Sequence, residues 1–329
     1  MRIGLLGAAS IAATSLVGPA RQVDGVELVA VAARDRSRAD SYARAHGIPI
    51  AYGSYDELLG DASLDAVYIP LPNALHGAWT TRALQAGKHV LCEKPFTANA
   101  DEARGVKAVA DAGDRVVMEA FHYRYHPLAQ RAVDIVASGE LGAIESIDAT
   151  MCVPMPPTKG NIRWHYDLAG GSMMDLGCYA VHMVRTVSGA EPEVVDARAR
   201  TGRGDPQIDR WLRTDLRFAD GSRGSTTVAM WSSTLLSLRL DVRGTRGRMR
   251  VSRLISPQFF GRLTVHTRAG RRVERATRRP SYEFQLEAFR DAAGGAPTNL
   301  TPPADSVATM SVIDAAYRAA GLPIRMPLT

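Results

Sequence analysis

The sequence predicts an α/β fold followed by an α+β fold: a doubly wound parallel sheet, then an open, mostly antiparallel sheet. In the first part of the chain, short apolar segments alternate with helix-compatible segments, as they do in βαβ units. From Ile144 onward, β-rich segments dominate and helices are few. We therefore expect two domains, residues 1–121 and residues 122–329, which suits a chain of 329 residues.

The chain begins with a short apolar strand, Arg2 to Leu6, which runs into the turn Gly7 to Ala12 and then a helix-compatible stretch. Strand, small-residue turn and helix form the front of a dinucleotide-binding (Rossmann) domain. Ala9 and Ala12 replace the second and third glycines of GxGxxG, and alanine still lets a pyrophosphate approach the helix N-terminus. Such a turn also occurs for packing alone. The predicted cofactor contacts here are Gly7, Ala9, Ser10 and Ile11.

The end of the second predicted strand, Val26 to Ala33, indicates which cofactor is bound. An NAD site usually carries an acid about 20 residues past the glycine turn, which binds the ribose hydroxyls. Ala33 stands at that place and Arg34 follows it, with Ser37 and Arg38 close in sequence. A guanidinium suits a 2′-phosphate because it forks onto phosphate oxygens. The sequence therefore favours NADP over NAD, although Asp35 becomes the ribose acceptor if the register slips.

The next elements continue the alternation of strands and helices. Ser54-x-x-Glu57 and Asn99-x-x-Glu102 are capping boxes that open two helices. The predicted elements are a helix over 37–45, the short helix after Ser54, strand 64–69, helix 76–86, strand 90–92, a helix from Asn99 to Gly113 and strand 115–120.

Two loops follow buried strands of this part. Pro70-Leu71-Pro72-Asn73 is a rigid exit placed to wall the cofactor, with Pro70, Leu71 and Asn73 as predicted contacts and His76 as a helix cap or phosphate neighbour. In the second loop, Pro95 stops the strand and holds Lys94 extended, so that Lys94 points into the crevice where open α/β sheets bind ligands. Alone, Glu93-Lys94 also fits a surface ion pair.

The aromatic and cationic segment Phe121 to Pro127 predicts the crossover between the domains, or interdomain packing, and a helix follows over 128–138. Asp220-Gly221 is a hairpin signal, and Pro303 to Ala320 predicts a final amphipathic helix. An open sheet needs cover on one face, and a twofold partner often supplies it. The predicted strands are 144–151, 194–200, 214–218, 224–230, 236–243, 248–251 and 263–267.

A second candidate element begins at Gly170-Gly171-Ser172, where Ser172 is a candidate helix cap. Asp175, Tyr179 and His182 fall at i, i+4 and i+7 and share one face of the predicted helix. Ionisable side chains on one face of an apolar helix indicate a functional site. A core tyrosine with a satisfied hydroxyl and a packing histidine are the alternatives.

Composition excludes several classes of function. The formal charge is +6 and the pI about 9.4, but aromatics are only 6% and no nucleic-acid-binding module is visible. No apolar run approaches the roughly 18 residues of a membrane span, and no signal peptide is visible. Cys92, Cys152 and Cys178 lie far apart without metal-ligand spacing. We expect a cytoplasmic protein with reduced thiols and no metal, acting on a small molecule.

Together, these motifs resemble the Gfo/Idh/MocA oxidoreductases over essentially the whole chain. The resemblance rests on the glycine turn, the Pro70 to Asn73 exit, Glu93-Lys94-Pro95, Glu119-Ala120-Phe121 and Gly171-x-x-x-Asp175-x-x-x-Tyr179. The segment before Asp35 and the tyrosine are most similar to the glucose–fructose oxidoreductase, dihydrodiol dehydrogenase and xylose dehydrogenase branch. Inositol dehydrogenase-like members usually carry histidine in place of Tyr179.

The resemblance implies hydride transfer between nicotinamide and a sugar or sugar-like polyol or keto compound, and the arginines after the second strand favour NADP as the cofactor. It implies Tyr179 as proton donor or acceptor, since Lys94 would lower the pKa of a phenol from its usual value of about 10. Glu93 is expected to orient Lys94 or the nicotinamide ribose, and Asp175 is expected to bind a substrate hydroxyl or to assist the pair. The weaker substrate candidates are Asn161, Arg163, Trp164, His182 and Tyr282.

Three alternatives stay open at this point. A dihydrodiol dehydrogenase or a nucleotide-sugar ketoreductase would use the same residues. A non-enzymatic NADP-binding sensor or scaffold would share the fold, since fold does not fix function. We expect a homodimer or homotetramer formed through the C-terminal sheet.

Overall fold

A computed structural model describes residues 1–158, 160–202 and 204–328. The chain forms two compact units. The N-terminal unit comprises Met1–His122, Tyr282–Val307 and the end of the chain from Pro327, and the C-terminal unit comprises Tyr123–Ser281 and Ala308–Met326. The expected division after residue 121 did not include the two later segments that belong to the N-terminal unit.

The strands are β1 (Arg2–Leu6), β2 (Glu27–Ala32), β3 (Ile50–Tyr52), β4 (Ala66–Ile69), β5 (His89–Cys92), β6 (Val117–Glu119), β7 (Ile144–Cys152), β8 (Glu193–Thr201), β9 (Asp209–Arg217), β10 (Arg223–Ala229), β11 (Ser237–Gly244), β12 (Gly247–Ser252), β13 (Arg262–Thr267) and β14 (Gly270–Arg275). The α-helices are α1 (Gly18–Ala20), α2 (Arg36–His46), α3 (Tyr55–Leu59), α4 (His76–Gln85), α5 (Ala100–Asp111), α6 (Pro127–Ala137), α7 (Cys178–Ser188), α8 (Ser281–Ala293) and α9 (Pro303–Ala319). Two π-helical segments, Ala13–Val17 and Met173–Gly177, run directly into α1 and α7.

The sheet of the N-terminal unit is parallel throughout its described pairs, in the order β3-β2-β1-β4-β5-β6. Its central strands are buried on both faces, which explains their continuous apolar sequences. The strand order reverses between β1 and β4, and ligands bind at such a switch point, outside the carboxyl ends of the strands. The predicted doubly wound parallel sheet is confirmed.

Local signals predicted two helix starts correctly. The Ser54 side chain accepts a hydrogen bond from Glu57 N at 3.1 Å, and Asn99 Oδ1 accepts one from Glu102 N at 2.9 Å. Three elements were not expected: β3, β14 and α8. The β3 strand has only three residues. In β14, the exposed and charged edge-strand sequence Gly270–Arg275 hides the apolar alternation that marks a strand.

A late segment of the chain covers the edge of the parallel sheet at β6. Glu119 N donates to Thr301 O at 3.0 Å, and Thr301 Oγ1 donates to Glu119 O at 2.7 Å. Asn299 Nδ2 adds a bond to Val117 O at 2.8 Å. These bonds satisfy backbone groups that an open edge would leave to solvent.

The second sheet has the order β14-β13-β12-β11-β7-β10-β9-β8. Its described pairs are antiparallel except β7 with β10, which confirms the predicted open, mostly antiparallel sheet. Arg248 and Arg250 are exposed while Met249 and Val251 are buried, as expected for a strand with one wet face. The α7 helix packs on β7 and β10.

The final helix and the cysteines also follow expectation. In α9, Met310, Ile313, Ala316 and Tyr317 are fully buried and form one face. The cysteines are buried free thiols. In the described ranges, the structure contains no helix with both the length and the apolar character needed to cross a bilayer.

Candidate active site

The glycine turn after β1 is shaped by one residue. Gly7 has a φ of +113°, and a Cβ at this position would lie 2.8 Å from Leu71 Cδ2. Glycine is therefore needed for both the backbone conformation and the close approach of the Pro70–Asn73 exit. Beyond Gly7, Ala9 is partly exposed, and Ser10 and Ile11 are exposed ahead of the π-helical segment. The turn is open to an incoming phosphate, as a cofactor-binding turn requires.

The structure assigns Asp35 a local role. Its carboxylate accepts a hydrogen bond from Ser37 N at 2.8 Å and caps α2. Hydrogen bonds from Ser37 lower the pKa of Asp35, so the carboxylate stays ionised as a cap. Arg34 is exposed beside it, and Arg38 Nη2 donates to Ala8 O in the glycine turn at 2.9 Å. The predicted phosphate-binding arginines thus adjoin the turn, while Asp35 is engaged by its own helix.

Tyr55 is a candidate contact that sequence reasoning missed. Burial raises the pKa of its hydroxyl, and the positive charges of Arg34 and Arg38 oppose that shift, so the phenol lies in the field of both guanidiniums. The hydroxyl is 3.9 Å from the point that a Gly7 Cβ would occupy. As the first residue after the Ser54 cap, Tyr55 carried no local signal of this placement. Two guanidiniums and a phenol beside the turn fit a 2′-phosphate.

The His76 ring is fully buried and is engaged on both sides. Nδ1 lies 2.7 Å from Pro95 O, and Nε2 lies 2.8 Å from Leu71 O. Burial lowers the pKa of His76 to about 4, against the opposing effect of the two carbonyls. The side chain therefore ties the loop after β4 to the loop after β5. Of the other predicted wall residues, Pro70 and Leu71 are buried and Asn73 is partly exposed.

Glu93 and Lys94 follow β5 and are not a surface pair. Glu93 is 9% exposed, and its Oε1 accepts a hydrogen bond from the Tyr68 hydroxyl at 2.5 Å. Lys94 is partly exposed, and its backbone N lies 3.3 Å from Glu93 Oε2. The Lys94–Pro95 peptide bond is cis. The two residues stand where the sequence predicted them, at the carboxyl end of a central parallel strand.

Tyr282 belongs to the same neighbourhood. It begins the return of the chain to the N-terminal unit, and its ring stacks on His122 with centroids 4.0 Å apart. Burial, and then the charge of Glu93, raise the pKa of its hydroxyl. The structure therefore brings this weak substrate candidate into the electrostatic field of the Glu93 carboxylate.

In the C-terminal unit, Asp209 at the start of β9 caps the candidate helix. Its Oδ2 accepts hydrogen bonds from Met173 N and from Ser172 Oγ, both at 2.7 Å. The expected cap by Ser172 was wrong, since the Ser172 hydroxyl donates to Asp209 and bonds no backbone N–H of its own helix. No sequence signal marked Asp209, which is an isolated acid in a β-rich segment.

The glycines before this helix are required by close contacts. Gly171 has a φ of +123°, and a Cβ there would lie 2.2 Å from Asp209 Oδ1. A Cβ on Gly170 would lie 2.5 Å from Arg163 O, and one on Gly177 would lie 2.4 Å from Met173 Sδ. The first turn after Ser172 is π-helical, a form that is frequent at functional sites.

Asp175 meets one of the weaker substrate candidates. Arg163 Nε lies 2.9 Å from Asp175 Oδ2, and the Arg163 side chain is 41% exposed against 12% for Asp175. Asn161 Oδ1 accepts from Arg163 N at 3.3 Å, and Trp164 Nε1 donates to Met155 O at 3.1 Å. Arg163 and Asp175 therefore form a charged pair open to solvent on one side, whereas the Asn161 and Trp164 bonds shape the loop itself.

Tyr179 and His182 lie deeper in α7. Tyr179 is 6% exposed, and its ring is tilted against that of Tyr123 with centroids 6.0 Å apart. His182 is 1% exposed, and its Nδ1 lies 2.5 Å from the Tyr123 hydroxyl. The structure thus gives His182 a packing and hydrogen-bonding role beside Tyr179, where the sequence suggested a weak substrate contact.

Two family models match the chain. A model described as an oxidoreductase family with an NAD-binding Rossmann fold matches residues 1–121, and a GFO/IDH/MocA C-terminal domain matches residues 129–250. The chain is also 40% identical over 322 residues to D-xylose 1-dehydrogenase (NADP(+)) 2 of Haloferax volcanii, with 97% of each protein covered. The chain belongs to the GFO/IDH/MocA oxidoreductase family.

Further GFO/IDH/MocA relatives agree with the predicted branch. Trans-1,2-dihydrobenzene-1,2-diol dehydrogenase of Sus scrofa is 36% identical over 222 residues, which cover 67% of this chain and 64% of that protein. The crystal structure of a 3-ketoreductase from Actinomadura kijaniata in complex with NADP and TDP-benzene is similar with a TM-score of 0.88 and 28% identity, covering 97% of both chains. The resemblance inferred from the motifs is confirmed.

Proposed function

We propose that this protein is an NADP-dependent oxidoreductase that transfers a hydride between nicotinamide and a sugar or a sugar-like polyol or keto compound. The arrangement at the glycine turn carries the proposal, because Arg34, Arg38 and Tyr55 adjoin it while Asp35 is engaged as a helix cap. The xylose dehydrogenase relative is named for NADP(+), and the similar ketoreductase was solved with NADP. Nicotinamide supplies the hydride chemistry when bound.

Side chains of the protein would transfer the proton at the reacting substrate oxygen. Tyr179 donates a proton to the substrate oxygen or takes one from it, and Lys94 stabilises the negative charge that develops on that oxygen. Structures of the Actinomadura ketoreductase include a tyrosine-to-phenylalanine and a lysine-to-alanine mutant, so these residue types were chosen for substitution there. Asp175, paired with Arg163, is proposed to accept a substrate hydroxyl.

Reduction of NADP with a panel of aldoses, polyols and trans-dihydrodiols, and oxidation of NADPH with dTDP-keto sugars, test the proposal. Lys94→Ala and Tyr179→Phe are expected to abolish turnover while NADPH binding persists, because neither residue lies at the phosphate turn. Lys107→Ala is the matched control, since Lys107 pairs with Asp111 on the exposed side of α5. A normal kcat in either active-site variant rejects its role. NADPH binding without turnover of any substrate favours a sensor or scaffold.

We also propose that the chain forms a homodimer or homotetramer through the open face of the second sheet and acts in the cytoplasm. The strand registers place Arg243 beside Arg248, Arg248 beside His266, and His266 beside Arg271. Arg243 and Arg248 are like charges directly opposite one another, which is destabilising, and acids of a second copy would relieve their repulsion. Light scattering is expected to show an oligomer that Arg248→Glu weakens and Arg36→Glu, on α2, does not. A monomer at every concentration rejects the proposal.

A further inference from the structure

A buried chain of hydrogen bonds joins Ser15, Tyr68 and Glu93 in the N-terminal unit. The Tyr68 hydroxyl lies 2.5 Å from Glu93 Oε1 and 2.7 Å from Ser15 Oγ. Tyr68 is fully buried in β4, and Ser15 is 1% exposed. Ser15 Oγ is also 3.0 Å from the carbonyl oxygen of Ile11 in the glycine turn. The chain therefore runs from the loop that carries Lys94 to the turn that is proposed to bind the cofactor.

The number of available protons restricts which group donates in each of these hydrogen bonds. When Glu93 is ionised it only accepts, so Tyr68 donates to it and Ser15 shares one proton between Tyr68 and Ile11 O. When Glu93 is protonated, each hydroxyl donates in turn toward Ile11 O. Hydrogen bonds from a hydroxyl to a carboxylate are short and about twice as strong as neutral ones. The Tyr68 hydroxyl accordingly favours the ionised form of Glu93 and fixes the position of its Oε1.

The charge of Glu93 acts on groups from several elements. These are Tyr68 of β4, which bonds the carboxylate directly, Tyr282 of α8 and Cys92 of β5, and Lys94 is the next residue. Burial and the charge of Glu93 raise the pKa of both tyrosines, so both phenols keep their protons. Lys94 is the cation adjacent in sequence to the carboxylate. Removing the Tyr68 hydroxyl is therefore expected to act on Lys94 through Glu93.

We propose that Tyr68, supported by Ser15, is a positioning residue that holds the Glu93 carboxylate in place and thereby sets the charge and placement of Lys94. The inference rests on the proposed role of Lys94. Tyr68 is a positioning residue because it acts through Glu93 and is itself fully buried. Its hydroxyl is not needed for packing at this position of β4, because phenylalanine would supply the same ring.

The sequence makes a direct test practical, because it contains only four lysines, Lys88, Lys94, Lys107 and Lys159. After reductive methylation with ¹³C-formaldehyde, NMR follows the titration of each methylated amine, and the Lys94→Ala variant assigns the Lys94 signal. In Tyr68→Phe, the pKa of Lys94 is expected to fall by about 1 unit, because a Glu93 carboxylate that the Tyr68 hydroxyl no longer holds in place attracts the neighbouring ammonium less on average. An unchanged Lys94 titration in a folded Tyr68→Phe protein overturns the proposal.

Tyr52→Phe is the matched control. The Tyr52 hydroxyl also donates to a carboxylate, Asp61 Oδ2 at 3.0 Å, in the same unit. Its strand β3 is four strand positions from β5, about 19 Å at the usual strand spacing. The control should leave the Lys94 titration unchanged. A shift of equal size in Tyr52→Phe would mean a general effect of losing a phenol and would overturn the inference.

A second pair of variants tests the route through Glu93. Glu93→Gln should lower the pKa of Lys94 by itself, and adding Tyr68→Phe should then change it no further. Additive shifts would mean that Tyr68 does not act through Glu93. If Tyr68→Phe does not fold, Ser15→Ala is expected to lower the pKa of Lys94 by a smaller amount. An unchanged pKa in Ser15→Ala rejects the proposal that these hydrogen bonds act on Lys94. These readouts need no turnover, so they stand apart from failure of the proposed enzymatic activity.

Discussion

Asp209 and Arg325 form an ion pair with both side chains fully buried: Arg325 Nη2 lies 2.9 Å from Asp209 Oδ1. Arg325 Nε also donates to Gly170 O at 2.7 Å, and the Tyr317 hydroxyl donates to Asp209 Oδ1 at 3.0 Å. The other Asp209 oxygen caps the helix that carries Tyr179. Burying both charges costs desolvation free energy, and the additional hydrogen bonds to each partner offset that cost. The pair therefore fixes where the candidate helix begins.

Breaking this pair should destabilise the protein. We expect Arg325→Met to lower the free energy of unfolding by about 3–5 kcal/mol, because Asp209 would be left buried without its cation. Urea denaturation measures the change. The control is Arg198→Met, which removes an exposed pair with Asp196 on β8 and should cost less than about 1 kcal/mol. Equal losses in the two variants would contradict a structural role for the buried pair.

The Arg163–Asp175 pair leads to a kinetic prediction. If Asp175 accepts a substrate hydroxyl, Asp175→Asn should raise KM about 10- to 100-fold, the range expected for a lost hydrogen bond to a charged group. Steady-state kinetics with the best sugar of the panel measures the effect. Asp167→Asn is the control, since Asp167 is exposed in the segment between Arg163 and Asp175. A KM that does not move in Asp175→Asn removes Asp175 from substrate binding.

Arg34 is predicted to set cofactor preference. Arg34→Asp should reduce the ratio of kcat/KM for NADP over NAD by about 10- to 100-fold, because a phosphate would lose one charged hydrogen-bonding partner and face a carboxylate. Parallel kinetics with the two cofactors give the ratio. The control Arg36→Asp makes the same charge change two residues away, at an arginine that pairs with Asp40 on α2. An unchanged ratio in Arg34→Asp would defeat the 2′-phosphate assignment.

We expect Glu102 to make a pH-dependent contribution to the free energy of unfolding. Burial raises its pKa from 4.5 to about 7, and a hydrogen bond from Ala98 N at 2.8 Å opposes the shift in part. The folded state thus holds a proton that the unfolded state releases. The contribution of this proton to the free energy of unfolding is fully present below pH 4.5, falls as the pH rises, and is lost above about pH 7.

Glu102→Gln should remove this dependence, because glutamine does not titrate. Relative to the wild type, the variant should gain stability as the pH rises from about 4.5 to 7, by at most about 3 kcal/mol. Urea unfolding at several pH values measures the difference. Glu57→Gln, at the equivalent position of the other capping box, is the control. Parallel pH profiles for Glu102→Gln and the wild type would rule out a titrating buried carboxyl.

Features that depend on a few neighbouring residues were predictable from the sequence. The helix starts at Ser54 and Asn99 were correct because a cap and its N–H partner lie three residues apart. The parallel sheet was correct because burial on both faces demands continuous apolar strands. Ser172 shows where this reasoning stops. Its position before a helix suggested a cap, but a strand that begins 37 residues later supplies the capping carboxylate instead.

The sequence by itself therefore determined the two kinds of sheet, the order of most elements, the family, and the place of Lys94 at a strand end. Only the tertiary structure decided the partners of the buried polar groups: Tyr68 with Glu93, His76 with Pro95, and Asp209 with Arg325. The physical reason is the distance along the sequence over which each kind of interaction acts. Periodicity and capping act within a few residues, whereas a buried hydroxyl or charge takes whichever partner strand register and chain closure bring to it, 116 residues away for Asp209 and Arg325.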